Sequence, residues 1–266
     1  MIAHMSIFFK RFYLIFGINT SFAVLIAMIS TAVSMYFGWK IDFPLTIIGL
    51  AVVFPVVFSI GGAYNRRESA LAQYGIMKSM GRVIYLASRD WLRDSDERSR
   101  NNKENIKNQV TNVFSLCIDF FHSPVDKDLS EGEEKIYKEF SLISKSIEGL
   151  RDRGLSGSEV SRVNAYLSRF ITAFETMKHI YQYRTPRTLR FYSKFYIYVI
   201  LIVLGPYFAL LAENQVVWLS LIKPVLFAMV FTGLDNIQEH LENPFDQVGE
   251  DDIKINPEKF KKSLDE

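Results

Sequence analysis

Residues 43–64 read FPLTIIGLAVVFPVVFSIGGAY, and no charged side chain interrupts them. A bilayer span needs about 20 predominantly apolar residues, so this stretch is long enough to cross a membrane as a helix. Asn65 follows it, and then come Arg66 and Arg67. The stretch therefore predicts a transmembrane helix that ends at a polar, basic boundary.

Three further apolar runs lie on either side of this stretch, at residues 12–39, 195–212 and 214–234. The first two contain no Asp, Glu, Lys or Arg, and the last contains only Lys223. The first run is too long for the apolar core of a signal peptide, and no small-residue cleavage site follows it, so we expect it to remain as a span. The chain is therefore predicted to have four transmembrane helices.

Short linkers join these runs in pairs, at residues 39–42 and 212–215. Since only helices satisfy their own backbone hydrogen bonds in lipid, each pair is predicted to form a helical hairpin. The two linkers contain a single basic residue, Lys40, whereas basic residues gather at the other ends of the spans: Lys10, Arg11, Arg66, Arg67, Arg184, Arg187, Arg190 and Lys194. The positive-inside rule then places both termini and the region between the hairpins in the cytoplasm.

Lys223 is the charged residue within the fourth run. Two interpretations are open for it. A lysine near the outer surface can extend its side chain to the interface, whereas a buried lysine would mark an ion pathway. We favour the first, because the fourth run starts at the outer face.

The region between the hairpins is predicted to be helical almost throughout. In its last helix, apolar residues recur at three- and four-residue spacing, which predicts one buried stripe. The stripe comprises Val160, Val163, Tyr166, Leu167, Phe170, Ile171 and Phe174. Ser156 and Glu159 form a capping-box pattern at the start of this helix.

These patterns predict an all-α membrane protein in four parts. The parts are residues 1–64 with spans one and two, a cytoplasmic helical domain at 65–188, spans three and four at 189–238, and a cytoplasmic tail at 239–266. Such a chain would lie in the cell membrane with both termini in the cytoplasm.

The composition excludes several classes of protein. Charged residues make up 23% of the chain, yet mean hydropathy is +0.08, because the apolar residues are concentrated in the four runs rather than dispersed as in a soluble domain. A net charge of +2 without a basic run is not the pattern of a nucleic-acid-binding protein. One cysteine, Cys117, excludes an intrachain disulfide and predicts a buried packing role in its apolar surroundings. No catalytic motif is present, so we expect no enzyme.

Three segments together resemble the bestrophin family of ion channels. Residues 43–91 look like the family's second span and its continuation, where an apolar helix ends in a Phe, a few small residues and a Tyr. Residues 181–208, YQYRTPRTLRFYSKFYIYVILIVLGPYF, are similar to the family's entry into the third span, and residues 241–255, LENPFDQVGEDDIKI, to its tail motif. Asp246 stands where the family has a glycine, and one extra residue precedes Asp251 and Asp252, so the likeness is to a divergent, bacterial member.

The resemblance implies a homopentamer around one central pore, with the second span lining the membrane part. It matches Phe58 to the family's neck phenylalanine, which puts Phe54 and Leu50 one and two turns earlier on the same face. Five copies would form apolar rings that gate by dewetting. Nearly every residue from 43 to 60 is apolar, however, so the spacing by itself also fits ordinary helix packing.

The resemblance also assigns roles outside the membrane. A second constriction, at the cytoplasmic exit, would lie near Ser158 and form a small polar ring. The tail motif, Glu242, Asn243, Pro244 and Phe245, would anchor the tail against the cytoplasmic domain. Eukaryotic relatives hold calcium with acidic residues corresponding to Glu250, Asp251 and Asp252. Because of the insertion and the missing glycine we favour a solvated acidic tail instead, with no required cofactor.

Three functions remain open at this level. The first is a channel that passes chloride or other small anions, with itself, the lipid bilayer and permeant ions as partners. The second is a channel of the same architecture that passes monovalent cations, because helix spacing does not locate the charged rings that set selectivity. The third is a membrane-anchored helical scaffold without a pore, which fits the composition equally well.

Overall fold

The computed structural model describes residues 15–42, 44–92, 97–124, 129–183, 187–212, 216–247 and 252–265, and over these ranges it contains helices but no strands. The α-helices are α1 (Ile18–Phe37), α2 (Leu45–Asp90), α3 (Glu97–His122), α4 (Ser130–Glu148), α5 (Gly157–Gln182), α6 (Arg187–Val203), α7 (Gly205–Leu211), α8 (Val217–Glu242) and α9 (Pro257–Lys262). A 3-10 turn, Arg151–Arg153, lies between α4 and α5.

The chain divides into two compact units. The first, which we call the apolar unit, comprises Met1–Arg66 and Thr185–Glu242. The second, which we call the bundle unit, comprises Arg67–Arg184 and Asn243–Glu266. Helix α2 contributes residues to both, since it runs unbroken for 46 residues with Pro55 inside it. The hydropathy pattern predicts separate helices for residues 43–64 and the segment that follows. The structure instead has one helix, because no helix-breaking residue separates Tyr64 from Arg67.

In the apolar unit, α1 packs against α6, α7 and α8. The buried face of α1 is made of small residues, Thr20, Ala23, Ala27, Thr31 and Ser34. Small side chains let helix backbones approach closely, as is typical of packing between helices in lipid. One such approach is at Gly205, where an added Cβ would collide with the Ser30 hydroxyl.

Three helical segments of this unit are long and apolar enough to cross a membrane: Ile18–Phe37, Phe191–Leu211 and Trp218–Glu242. They match the first, third and fourth apolar runs, and they support a membrane protein. The segment Phe191–Leu211 is divided at Leu204, between α6 and α7. Helix α7 has a proline in its first turn, and proline lacks the N–H that would continue the helical hydrogen bonds. The second run forms the start of α2, from Leu45, but it is not among these three segments, so its crossing of the membrane stays a prediction.

The bundle unit has a core of aromatic and aliphatic side chains from α2, α3, α4, α5 and the tail. Five stripe residues of α5 are buried in it, whereas Tyr166 and Ile171 pack at its edge. The Ser156–Glu159 capping box is formed as predicted. Cys117 is fully buried, also as predicted, and burial raises the pKa of its thiol.

Candidate pore-lining face and tail anchor

The first half of α2 has one exposed and one buried side. Leu50, Phe54 and Phe58 are 57%, 51% and 71% exposed in the single chain. Val56 and Ala63, on the other side, are buried. Residues four apart lie on the same helix face, so the three predicted neck residues form one continuous apolar row that the chain itself does not cover.

The two phenylalanines of this row contact each other. Their ring centroids are 5.7 Å apart and their planes are tilted by 33°. One turn further on, Gly61 and Gly62 are exposed, and a Cβ added to either would meet nothing within 4 Å. The row of Leu50 and two contacting, tilted rings is therefore followed by a surface without side chains.

Ser158, the predicted cytoplasmic constriction, is an exposed residue in the first turn of α5. Its hydroxyl lies 2.9 Å from that of Ser156, which in turn accepts the backbone N–H of Glu159 at 3.3 Å. Gly154 precedes this turn with a φ of +91°, a conformation that favours glycine. The turn is thus held by local hydrogen bonds and presents small polar groups.

Phe245 of the tail motif is inserted into the core of the bundle unit. Its ring stacks on Phe121 with centroids 4.4 Å apart and an interplanar angle of 11°, and it meets Tyr181 edge-on at 6.1 Å. The Pro244 carbonyl accepts the Ile253 N–H at 2.8 Å. These contacts hold Phe245 in the core and tie Ile253 to Pro244 through a backbone hydrogen bond.

The polar members of the tail motif are buried too. The Asn243 amide donates to Asp246 at 3.1 Å, and Glu242 accepts from the Gln238 amide at 3.1 Å. Glu242 is the last residue of α8 and Asn243 the first of the tail. The motif residues are therefore engaged in packing and hydrogen bonding at the end of a helix.

The calcium prediction is only partly covered by the structure. Glu250 and Asp251 lie outside the described residues, and Asp252 is half-buried. Across the described ranges, no group of three or more His, Cys, Asp or Glu side chains is placed to hold a metal ion. Calcium binding by the acidic tail therefore stays a prediction.

Lys223 lies in α8, half-buried and directly before Pro224.

The sequence analysis missed a polar cluster in the apolar unit, where α6 meets α8. Lys194 pairs with Glu239 at 2.9 Å, and the Asn236 amide donates to the Ile15 carbonyl at 2.6 Å. A cavity of about 90 Å³ lies here, lined by Asn19, Lys194, Ile197, Tyr198, Thr232, Asp235 and Asn236. The helical spacing of Thr232, Asp235, Asn236 and Glu239 along one face was the signal that could have revealed it.

Comparison with known proteins adds fold information. A crystal structure of a bacterial bestrophin homolog from Klebsiella pneumoniae, in a point variant, superposes with a TM-score of 0.76 at 17% identity, covering 92% of this chain and 95% of that one. A second variant of this homolog gives 0.74 at 18%, covering 95% and 97%. A crystal structure described as a membrane protein gives 0.75 at 16%, covering 93% and 98%.

The chain therefore has the fold of bacterial bestrophin homologs along nearly its whole length. Its sequence is only 16–18% identical to the sequences of these structures. No family model matches it, and no curated protein matches it either.

Proposed function

We propose that this protein is a homopentameric ion channel that conducts chloride and other small anions through a central pore. The observation that carries the proposal is the fold shared with bacterial bestrophin homologs over more than 90% of both chains. The sequence resemblance points to the same family, which consists of ion channels. Two lines of argument, one from ordered motifs and one from backbone shape, thus agree.

The apolar row of α2 supplies the neck in this proposal. The side chains of Leu50, Phe54 and Phe58 are not covered by their own chain. Five copies around an axis would bring them together as three rings, one above the other. A narrow apolar tube empties of water unless it widens, so such rings can gate conduction. The edge of a phenyl ring carries the positive end of its quadrupole, so edge-on rings tolerate a passing anion.

The remaining parts take supporting roles. Four spans, with residues 43–64 as the second, cross the bacterial inner membrane and leave both termini in the cytoplasm. Ser158 contributes a small polar ring at the cytoplasmic exit. Glu242 to Phe245 anchor the tail. The channel needs no cofactor. It is not an enzyme.

Electrical recording of the purified protein in planar bilayers tests the proposal. Under a KCl gradient, we expect currents that reverse near the chloride equilibrium potential. Reversal near the potassium potential would instead support the cation-selective alternative. A monomer or dimer in native mass measurement, without current, would overturn the channel and leave the scaffold.

Replacing Phe58 tests the neck itself. Phe58→Ala removes the largest exposed ring of the row, so we expect a higher single-channel conductance or altered selectivity because the tube becomes wider. Phe22→Ala is the matched control, since Phe22 is also a strongly exposed phenylalanine but lies on α1. Equal currents from Phe58→Ala, Phe22→Ala and the unaltered protein would show that the neck lies elsewhere.

A further inference from the structure

The bundle unit contains a cavity of about 520 Å³ between α2 and the C-terminal segment. We call it the basic groove. Its charged lining residues are Lys78, Arg82, Lys254 and Lys259, and no aspartate or glutamate in the described part of the chain lines it. Its size falls within the roughly 300–1,000 Å³ typical of small-molecule sites.

The four cations line one groove, and no described acidic side chain pairs with any of them. Lys78 and Arg82 are four residues apart on α2, and like charges at that spacing repel each other. Among the described residues, none of the four forms an ion pair, whereas Lys107, Lys178 and Lys194 each do. The repulsion would be relieved by an anion in the groove.

The walls of the basic groove are fixed by the core behind them. Phe260 and Tyr74 are buried, and both rings contact Phe114, at centroid distances of 4.5 and 6.1 Å. The Tyr74 hydroxyl accepts the Asn256 N–H at 3.4 Å. Both sides of the groove are therefore anchored to one aromatic cluster, so the groove exists before any ligand arrives.

The positions of two cations are also set by contacts. The Lys78 ammonium lies 4.8 Å from the centre of the Tyr74 ring. One terminal nitrogen of Arg82 donates to the Ser263 hydroxyl at 2.9 Å. This contact uses only part of the guanidinium, which has five N–H donors, so others remain for a ligand.

We infer that the basic groove binds a phosphate ester that carries two or more negative charges. A carboxylate would balance one of the four cations, and the cavity is larger than a bare halide needs. Lysine ammonium and arginine guanidinium groups are the side chains that bind phosphate oxygens most strongly. The hydroxyls of Ser79 and Ser263 add neutral hydrogen-bonding groups to the lining.

This chemistry has two sources, a soluble phosphorylated metabolite or the headgroup of an anionic lipid. The inference does not depend on ion conduction, and its tests measure binding alone. They use the full chain in nanodiscs of phosphatidylcholine, with inorganic pyrophosphate or adenosine triphosphate as soluble probes. A second set of nanodiscs, containing phosphatidic acid and no added probe, represents the lipid source.

The first measurement is the reactivity of lysines toward an acetylating reagent, read by mass spectrometry. We expect Lys78, Lys254 and Lys259 to react in plain nanodiscs and to become protected by the soluble probes or by phosphatidic acid. Lys261 and Lys262 belong to the same helix as Lys259 but do not line the groove, so they should be unaffected. Protection by the soluble probes identifies a metabolite site, and protection by phosphatidic acid alone a lipid site.

The second measurement is affinity for the protecting probe. The double variant Lys254→Gln/Lys259→Gln should bind at least about tenfold more weakly, because it loses two charge-assisted contacts. The control Lys261→Gln/Lys262→Gln makes the same change in net charge in the same segment and should bind within about twofold of the unaltered chain. Equal weakening by both variants, or groove lysines that no probe protects, would overturn the inference.

Discussion

The apolar unit and the bundle unit treat their large apolar side chains in opposite ways. Phe22, Ile29 and Trp218 of the apolar unit are more than half exposed in the single chain. In the bundle unit, phenylalanines fill the core: Phe114, Phe120, Phe121, Phe170 and Phe174 are all almost completely buried. The two units are thus built for different surroundings, although helices form both.

The difference is physical. Water penalises an exposed phenylalanine, so a unit in water gains stability by burying its aromatic residues. Lipid does not penalise it, so helices in a bilayer associate through close packing of small residues and through hydrogen bonds instead. The same substitution should therefore have different consequences in the two units, and the following five predictions test the packing and the electrostatics on which this difference rests.

The largest effect is expected from Phe245→Ala in the bundle unit. This change empties a site stacked on Phe121, and truncating a buried phenylalanine costs about 3–5 kcal/mol. Hydrogen exchange of the α3 and α5 amides, read by mass spectrometry, should report the lost protection. Phe22→Ala in the apolar unit serves as the control, with the protection of the α1 amides as its readout. A comparable loss of amide protection in α1 would mean that both units depend equally on their phenylalanines.

A charged substitution on the lipid-facing surface should cost about 3 kcal/mol. Leu226, on α8, and Leu142, on α4, are both exposed leucines, but they belong to different units. Leu226→Arg should reduce membrane insertion because arginine is costly near the centre of a span, whereas Leu142→Arg should be tolerated in water. Insertion efficiency in a translocon assay measures the difference, and equal efficiencies would contradict the membrane placement of α8.

Close packing in the apolar unit is tested by Gly205→Ala. The added Cβ would collide with Ser30, whose hydroxyl donates to the Ile202 carbonyl at 2.7 Å. Overpacking of this kind costs about 1–3 kcal/mol. Thermal unfolding in detergent should show a lower midpoint for Gly205→Ala than for Gly62→Ala, where an added Cβ has open space. Identical midpoints would show that the helices separate easily.

The smallest effect concerns an ionic network in the bundle unit. Lys178 donates to Glu133 at 2.7 Å and to the Tyr137 hydroxyl at 2.8 Å, and it pairs with Glu175 at 2.8 Å. Lys178→Met leaves both carboxylates without their cation and should cost about 1–2 kcal/mol. Lys138→Met, which breaks only the exposed pair with Glu134, should cost less than about 0.5 kcal/mol.

The same network predicts a pH dependence. Burial acts to raise the pKa of Glu175, but hydrogen bonds from Lys178 and Tyr137 outweigh it and hold that pKa below its ordinary 4.5. A carboxyl with a lowered pKa stabilises the fold above its unfolded-state value and loses this contribution as pH falls through the folded-state value. The cost of Lys178→Met, measured by chemical unfolding, should therefore be constant near neutral pH and shrink in acid below about pH 4.5. A cost unchanged at low pH would show that packing, not charge, is responsible.

Much of the fold could be predicted because its signals are local. Three apolar runs match helices that are long and apolar enough to cross a membrane, and the capping box and the buried stripe of α5 follow from spacing within one helix. The continuity of α2 was missed for a local reason too. The apolar run ends at Asn65, which suggested the end of a helix. Neither Asn65 nor Arg66 breaks a helix, however, so α2 continues through them.

The candidate sites likewise combine features that spacing within one helix predicts with features that depend on packing between helices. That Leu50, Phe54 and Phe58 share a face follows from a spacing of four, whereas their exposure depends on which side of α2 packs inward. The spacing of polar residues along α8 marks a polar face, but Lys194 and Glu239 lie 45 positions apart on different helices, so that spacing does not specify which residue Glu239 pairs with.

The sequence by itself determined which segments are apolar enough to cross a membrane and that the chain is helical, because hydropathy and helical periodicity act over short distances. Only the tertiary structure decided that Phe245 stacks on Phe121 and that lysines of the tail join Lys78 and Arg82 in one basic groove. Those residues lie more than a hundred positions apart, and their meeting is set by how the whole core packs.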